Sequence, residues 1–171
     1  MNVLEAISTR RDVRQYTDEP IKPDDLDQIL EAARRSPSSS NEQRWDFVVV
    51  TDRSQLQELS TVWQGAKQVA ASAATIALVA PEPTDDGSRQ STYYDLGQTT
   101  MCVMLAAVDL GIGSAHARVG DQGRAREILG FPADRTCHWM IALGYPADRP
   151  LQVIRHPNRR PFAEVVHGGR W

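Results

Sequence analysis

Three arginines stand within five positions near the start of the chain, Arg10, Arg11 and Arg14 in "STRRDVRQY", with Asp12 among them. A guanidinium is a planar fork of N–H donors that stays charged at any physiological pH. Several at a helix end therefore suit a phosphate monoester. Taken alone, the same residues read more plainly as a solvated surface with Asp12 paired to an arginine. Arg159 and Arg160, in "NRRP", form a second local basic pair. In "SPSSSNEQRW", Ser38, Ser39, Asn41 and Gln43 offer hydroxyl and amide groups able to read the edge of a polar heterocycle, or simply to build a turn. Trp45 and the apolar run behind it would hold that loop rigidly. "GIGSAHARVG" has part of the glycine spacing of a dinucleotide loop. However, His116 takes the third glycine's place and the segment follows a helix, not a strand, so that reading fails. No local pattern marks a nucleophile–histidine–acid arrangement.

The elements that must position these groups follow from periodicity and punctuation. Val3, Leu4 and Ile7 recur at helical spacing, so a short helix leads into the arginines. Pro23 opens a second helix, with Leu26, Ile29, Leu30 and Ala33 along one face, and Pro37 stops it near Ser36. Trp45 to Thr51 reads as a buried strand, and a helix around Ser54 to Val62 follows, capped by Asp52 or Ser54. Residues 74–80 form the next strand, and "PEPTDDGSR" reads as a loop. The longest helix spans Ser91 to Leu110, is apolar enough to be central, and ends at Gly111. "GSAHARV" is a strand, "RAREILGF" a short helix closed by Gly130, and "HWMIALGYP" a last strand before a basic tail. Helices and strands mingle without strict alternation of strand and crossover helix, which favours an α+β fold over a doubly wound sheet.

The totals narrow the function classes. The 171 residues suffice for one domain over 1–171 with a proper core. A net charge of −3 gives no general attraction to nucleic acid or to an anionic membrane, so anion binding must come from local clusters. The longest nearly apolar run, Val69 to Ala80, is too short to span a bilayer, and the first residues lack the pattern of a secretion signal. Cys102 and Cys137 lie far apart, which argues against a disulfide framework or zinc site and fits a reducing cytoplasm. His116, His138, His156 and His167 are scattered without metal-ligand spacing, so no metal is expected.

Taken together and in order, "RRDVRQY", "RRSPSSSNEQRWDFVVV", "DLGQTTMCVMLAAVDLGIGSAHARVG", "ALGYPADRP" and "RRPFAEVVH" resemble the FMN-dependent nitroreductase family over nearly the whole chain. The resemblance implies a central, mainly antiparallel sheet flanked by helices, in an interlocked homodimer with two flavin sites at the subunit interface. It implies that Arg10 and Arg159 bind the FMN phosphate with Arg11 beside them. Arg14 would approach the N1/O2 edge, where positive charge favours the anionic reduced ring. Pro37, Ser38, Ser39 and Asn41 would come from the partner subunit to line the ring and ribityl chain. The backbone of His116, Ala117 and Arg118 would face flavin N5, and Lys67 would lie near the pyrimidine edge. No side chain need act as acid or base. The implied cycle is ping-pong, with NAD(P)H reducing FMN before a nitroaromatic, quinone or similar small acceptor takes the electrons.

Three departures from the family pattern stand out. Asp12 replaces a usual serine, Arg44 replaces a usual proline, and the chain has little room for the helical excursion that covers the pocket in longer relatives. A carboxylate facing a phosphate is repelled, so Asp12 is expected to turn away and pair with Arg11 or Arg14. The same substitution leaves two alternatives open: this fold with a deazaflavin or another substrate, and a flavin-binding carrier or sensor without turnover.

Overall fold

In the computed structural model, which describes residues 1–171, the strand Ala74–Pro81 (β2) is buried along all but its last residue. A strand so placed needs cover on both faces, and its alternation supplies two apolar sets. Ile76, Leu78 and Ala80 point to one side, and Ala77 and Val79 to the other. The strands Asp46–Val50 (β1), Gly113–Arg118 (β3) and Arg135–Gly144 (β4) complete a sheet of order β1-β2-β4-β3. Every pairing is antiparallel. The expected α+β class and antiparallel sheet are therefore present.

Helices Pro23–Arg34 (α2, in chain order after Val3–Thr9, α1) and Asp86–Asp109 (α4) cover the first face, burying Ile29, Ala33, Leu96, Val103 and Ala107. Helix Arg53–Leu59 (α3), the 3-10 turn Lys67–Ala71 and helix Gln122–Leu129 (α5) cover the second with Leu56, Leu59, Val69 and Ala125. Pro23 opens α2 as expected, Asp52 caps α3, and Gly130 closes α5 at φ 72°. A last short helix, Phe162–Val165 (α6), lies in an otherwise irregular tail.

Several expectations need correction. Helix α4 begins five residues before Ser91, because Asp85 accepts from the Ser88 amide while the Ser88 hydroxyl accepts from the Asp85 amide. Helix α3 stops at Leu59, short of Val62. Strand β1 is an edge strand in which only Val50 is fully buried. The apolar stripe Val3, Leu4 and Ile7 of α1 faces outward, and Ala6 and Thr9 are its buried residues.

The segment after α1 is a strap across one end of the sheet. Asp12 bridges Ser114 in parallel, and Tyr16 bridges Pro146 in antiparallel sense. The Val13 amide donates to the Ser114 carbonyl at 3.0 Å, and the Thr17 amide to that of Tyr145 at 2.9 Å. Val13 and Tyr16 point into the core, and the Tyr16 hydroxyl donates to the Val13 carbonyl at 2.6 Å. Gly113 and Gly144 make the close approach possible. A Cβ on Gly113 would stand 2.7 Å from the Val13 Cβ, and one on Gly144 would stand 2.8 Å from the Tyr16 ring.

Candidate functional site

Because Val13 is anchored inward, Arg10, Arg11 and Arg14 remain available toward the surface. Asp12 joins two of them: Arg10 Nη1 donates to Oδ1 at 3.1 Å, and Arg14 Nη2 to Oδ2 at 2.9 Å. Asp12 thus does turn to its neighbours, but the partners are Arg10 and Arg14. Arg11 takes no part. With its carboxylate engaged on both oxygens, Asp12 presents little uncompensated negative charge.

Arg10 and Arg159 line one cavity of about 340 Å³ with Ser8, Met101 and Ile154. The structure therefore brings together two residues separated by most of the chain and paired at the outset only by the resemblance. The tail is held there by an Ile154 amide donating to the Ser8 carbonyl at 2.9 Å. Arg11 lies elsewhere, in a neighbouring cavity with Arg155 and His156, and Ile154 lines both. Its Nη2 donates to the Gln152 carbonyl at 2.9 Å, while its Nε is buried without a partner.

A third cavity, of about 260 Å³, opens between α4 and the β3–β4 side of the sheet. Tyr93, Leu96, Gly97, Thr100, His116 and Trp139 line it. His116 and Trp139 meet edge to face at 6.0 Å. Behind Tyr93 stands His138, with ring centroids 5.1 Å apart, and burial pushes the His138 pKa down. Thr100 lines this cavity and Met101 the arginine cavity, so one side of α4 serves both. Tyr93 and Met104, whose sulfur lies by Arg10, are roughly 16 Å apart along the helix axis at 1.5 Å per residue. Ala117 is buried on the opposite face of β3, and Arg118 stacks over Trp63 at 5.2 Å.

The serine loop packs against α4 at Asp95. Pro37, Ser38, Ser39 and Asn41 line neither of these two cavities. The loop contains the 3-10 turn Ser39–Asn41, and Ser40, Asn41 and Gln43 all have positive φ, between 50° and 55°. Three non-glycine residues in that region form a strained conformation that the surroundings must hold. The Ser38 hydroxyl accepts from the Gln43 amide at 3.0 Å. Ser39 donates twice to Asp95 of α4, from its amide at 3.0 Å and from its hydroxyl at 3.1 Å. Arg44 pairs with Glu42, which offsets the charge added before Trp45. Lys67 opens the 3-10 turn on the other face of the sheet.

Sequence reasoning missed Asp95, Tyr93 and Trp139. Asp95 had a signal: a lone acid within an apolar helix is unexpected unless something pairs with it. The two aromatic residues had none, because only the packing of α4 on the sheet brings them together. "GIGSAHARVG" does run from helix to strand, with Gly111 ending α4 at φ 75°, as the rejection of a dinucleotide loop requires.

An antiparallel sheet with helices on both faces, and with paired arginines at one end of a shared helix, defines an α+β protein with an anion-receptive cavity beside an aromatic one. The nitroreductase family model matches residues 7–63. A protein of Archaeoglobus fulgidus described as a "Putative NADH dehydrogenase/NAD(P)H nitroreductase" is 34% identical over 172 residues, covering 98% of each chain. An FMN reductase [NAD(P)H] of Bacillus subtilis is 27% identical over 91% of this chain and 70% of its own. The solved structure of an FMN-dependent nitroreductase from Clostridium difficile superposes with a TM-score of 0.86 at 24% identity, covering 99% of this chain and all of the other. The chain belongs to the nitroreductase family.

Proposed function

We propose that this protein is an FMN-dependent NAD(P)H oxidoreductase, working as a homodimer and passing electrons to nitroaromatics, quinones or similar small acceptors by a ping-pong cycle. The observation that carries the reading is the cavity shared by Arg10 and Arg159, opening beside the aromatic cavity along one side of α4. The residues present fit the cofactor. Two guanidiniums converge on one cavity, and the nearby carboxylate of Asp12 is already engaged by Arg10 and Arg14.

Arg10 and Arg159 hold the phosphate. Arg11 lies on the far side of the tail segment and adds longer-range positive charge, and Arg14 supplies charge toward the N1/O2 edge. Ser38 and Asn41, with Pro37 and Ser39, reach the ring from the partner subunit, and the His116–Arg118 backbone faces N5. When bound, the flavin supplies the redox chemistry, accepting a hydride from NAD(P)H and giving electrons to the acceptor. The protein's part is position, exclusion of water and charge. Exposed apolar side chains on α1 (Val3, Leu4, Ile7), on α4 (Met101) and in the tail (Phe162, Trp171) support self-association. An uncompensated Asp12 would favour another cofactor, but its two ion pairs offset that charge. The family relatives favour catalysis over a carrier role.

The first test is the visible spectrum after adding FMN and desalting. A retained two-band flavin spectrum, followed by NAD(P)H oxidation with a quinone and parallel double-reciprocal plots, is the expected result. No retention would overturn the reading, and retention without turnover would leave a carrier. Within the site, Asp12→Ser frees Arg10 and Arg14 from an intramolecular competitor. It should tighten FMN by about 2- to 5-fold in a fluorescence titration, since a partly exposed ion pair is worth about 1 kcal/mol or less. Weaker binding in that variant would mean that Asp12 orients Arg10.

A further inference from the structure

Asp95 lies in the middle of α4 with 1% of its surface exposed. It forms no ion pair. No cluster of acids, histidines or cysteines capable of holding a metal includes it. Burying a carboxylate without a cation is costly unless hydrogen bonds satisfy it. Here the donors come from one residue: the Ser39 amide, 3.0 Å from Oδ1 and 3.1 Å from Oδ2, and the Ser39 hydroxyl, 3.1 Å from Oδ1. One turn along α4, Thr99 contacts the Ser36 hydroxyl at 2.7 Å, and Ser36 in turn donates to the Ala33 carbonyl at the end of α2. Thr99 thus fastens α2 to α4, and Asp95 fastens the loop.

The distinction matters because the loop is the strained part. Ser40, Asn41 and Gln43 carry positive φ, and a serine in that region returns to extended or right-handed backbone once released. Both donors of Ser39 are committed to Asp95. Ser38 keeps its hydroxyl hydrogen while accepting from Gln43, and the Asn41 side-chain carboxamide makes no internal hydrogen bond although its backbone amide donates to the Ser38 carbonyl at 2.9 Å, so the Ser38 hydroxyl and the Asn41 carboxamide are left to meet a ligand.

We infer that Asp95 is a positioning residue for the flavin: by holding Ser39 it sets the backbone that presents Ser38 and Asn41 to the cofactor. The inference rests on the proposed flavin site. Since that site takes the loop from the partner, Asp95 of one subunit governs cofactor binding in the site whose arginines belong to the other.

The test uses the whole 171-residue chain and four variants, the fourth held for the case in which the first does not fold. Amide hydrogen exchange of the FMN-free protein reads the loop itself. Asp95→Ala should remove protection at Ser39 and raise the FMN Kd about 10- to 100-fold, the range expected when a buried donor loses its partner. Asp95→Asn keeps an acceptor oxygen where Oδ1 stands and should recover FMN binding to within about threefold of wild type. Thr99→Ala loosens the α2 contact and should lower the melting temperature while leaving the FMN Kd unchanged. Equal FMN affinity in wild type and Asp95→Ala would overturn the inference. So would a rise in Kd matched by Thr99→Ala at equal loss of stability, which would mean general packing. If Asp95→Ala fails to fold, Ser39→Ala removes one of the same bonds, and unchanged affinity there overturns the inference equally. Failure of the flavin reading looks different, because wild type itself would then retain no FMN.

Discussion

Replacing Arg10 and Arg159 together by glutamate should abolish FMN retention, with Kd rising by at least about 10²- to 10⁴-fold. Each guanidinium–phosphate hydrogen bond is charge-assisted and contributes about 1.5–3 kcal/mol, and tenfold in Kd corresponds to about 1.4 kcal/mol. Reversal does more than remove two donors, since it places two carboxylates against an anion in one cavity. The neutral pair Arg10→Gln with Arg159→Gln should fall between wild type and the reversed protein, and the loss should be largest at low salt. Arg10→Glu also sets a second acid beside Asp12, so the melting temperature must be followed in parallel. Retention surviving the double reversal would remove the clamp and direct attention to Arg11, Arg155 and His156 across the tail segment.

Gly113→Ala is expected to destabilise the FMN-free protein by about 2–3 kcal/mol, the usual cost of overpacking a tight core. The new Cβ would meet three Val13 side-chain atoms at 2.7–2.9 Å. Val13 has nowhere to retreat, since only 2% of it is exposed and the strap is hydrogen-bonded to Ser114. Trimming Val13 to alanine should give little relief, because its own Cβ is one of the close atoms. A denaturant melt measures the change, and FMN affinity should fall with it because Val13 anchors the strap that bears the arginines. Gly97→Ala makes the contrast. Its Cβ meets nothing within 4 Å in the interior of α4, so a gain of about 0.5–1 kcal/mol is expected. Equal melts for Gly113→Ala and wild type would mean that the strap is looser than its contacts imply.

The sequence carried the positions of the strands and several of the helix ends because they depend on local chemistry, while the antiparallel pairing came with the family resemblance. Pro23 and Pro37 bracket α2, and Gly130 supplies the left-handed residue that closes α5. The start of α4 was hidden by Pro81 and Pro83, which outweighed the reciprocal capping of Asp85 and Ser88 just beyond. Strand β1 looked buried because apolar content does not distinguish an edge from a centre; that depends on which strands pair, and β1 has only β2 beside it. The arginine cluster was legible as a cluster but not in its division. Arg11 parts from Arg10 because residues 152–159 run between their cavities, a contact between chain ends that local spacing cannot encode. The serine loop was recognised by composition. Its conformation and its dependence on Asp95 lie in a tertiary contact.

The strap across the sheet end has a kinetic consequence. Asp12 meets Ser114 and Tyr16 meets Pro146, so the segment bearing the arginines, which precedes both strands in the chain, has no place to dock until β3 and β4 exist. Contacts this distant along the chain cost loop-closure entropy and form slowly. The anion cavity then also waits for Ile154 and Arg159 to arrive. On the proposed reading, phosphate binding is thus acquired late in folding, and the basic segment stays undocked at least until β4 has been made.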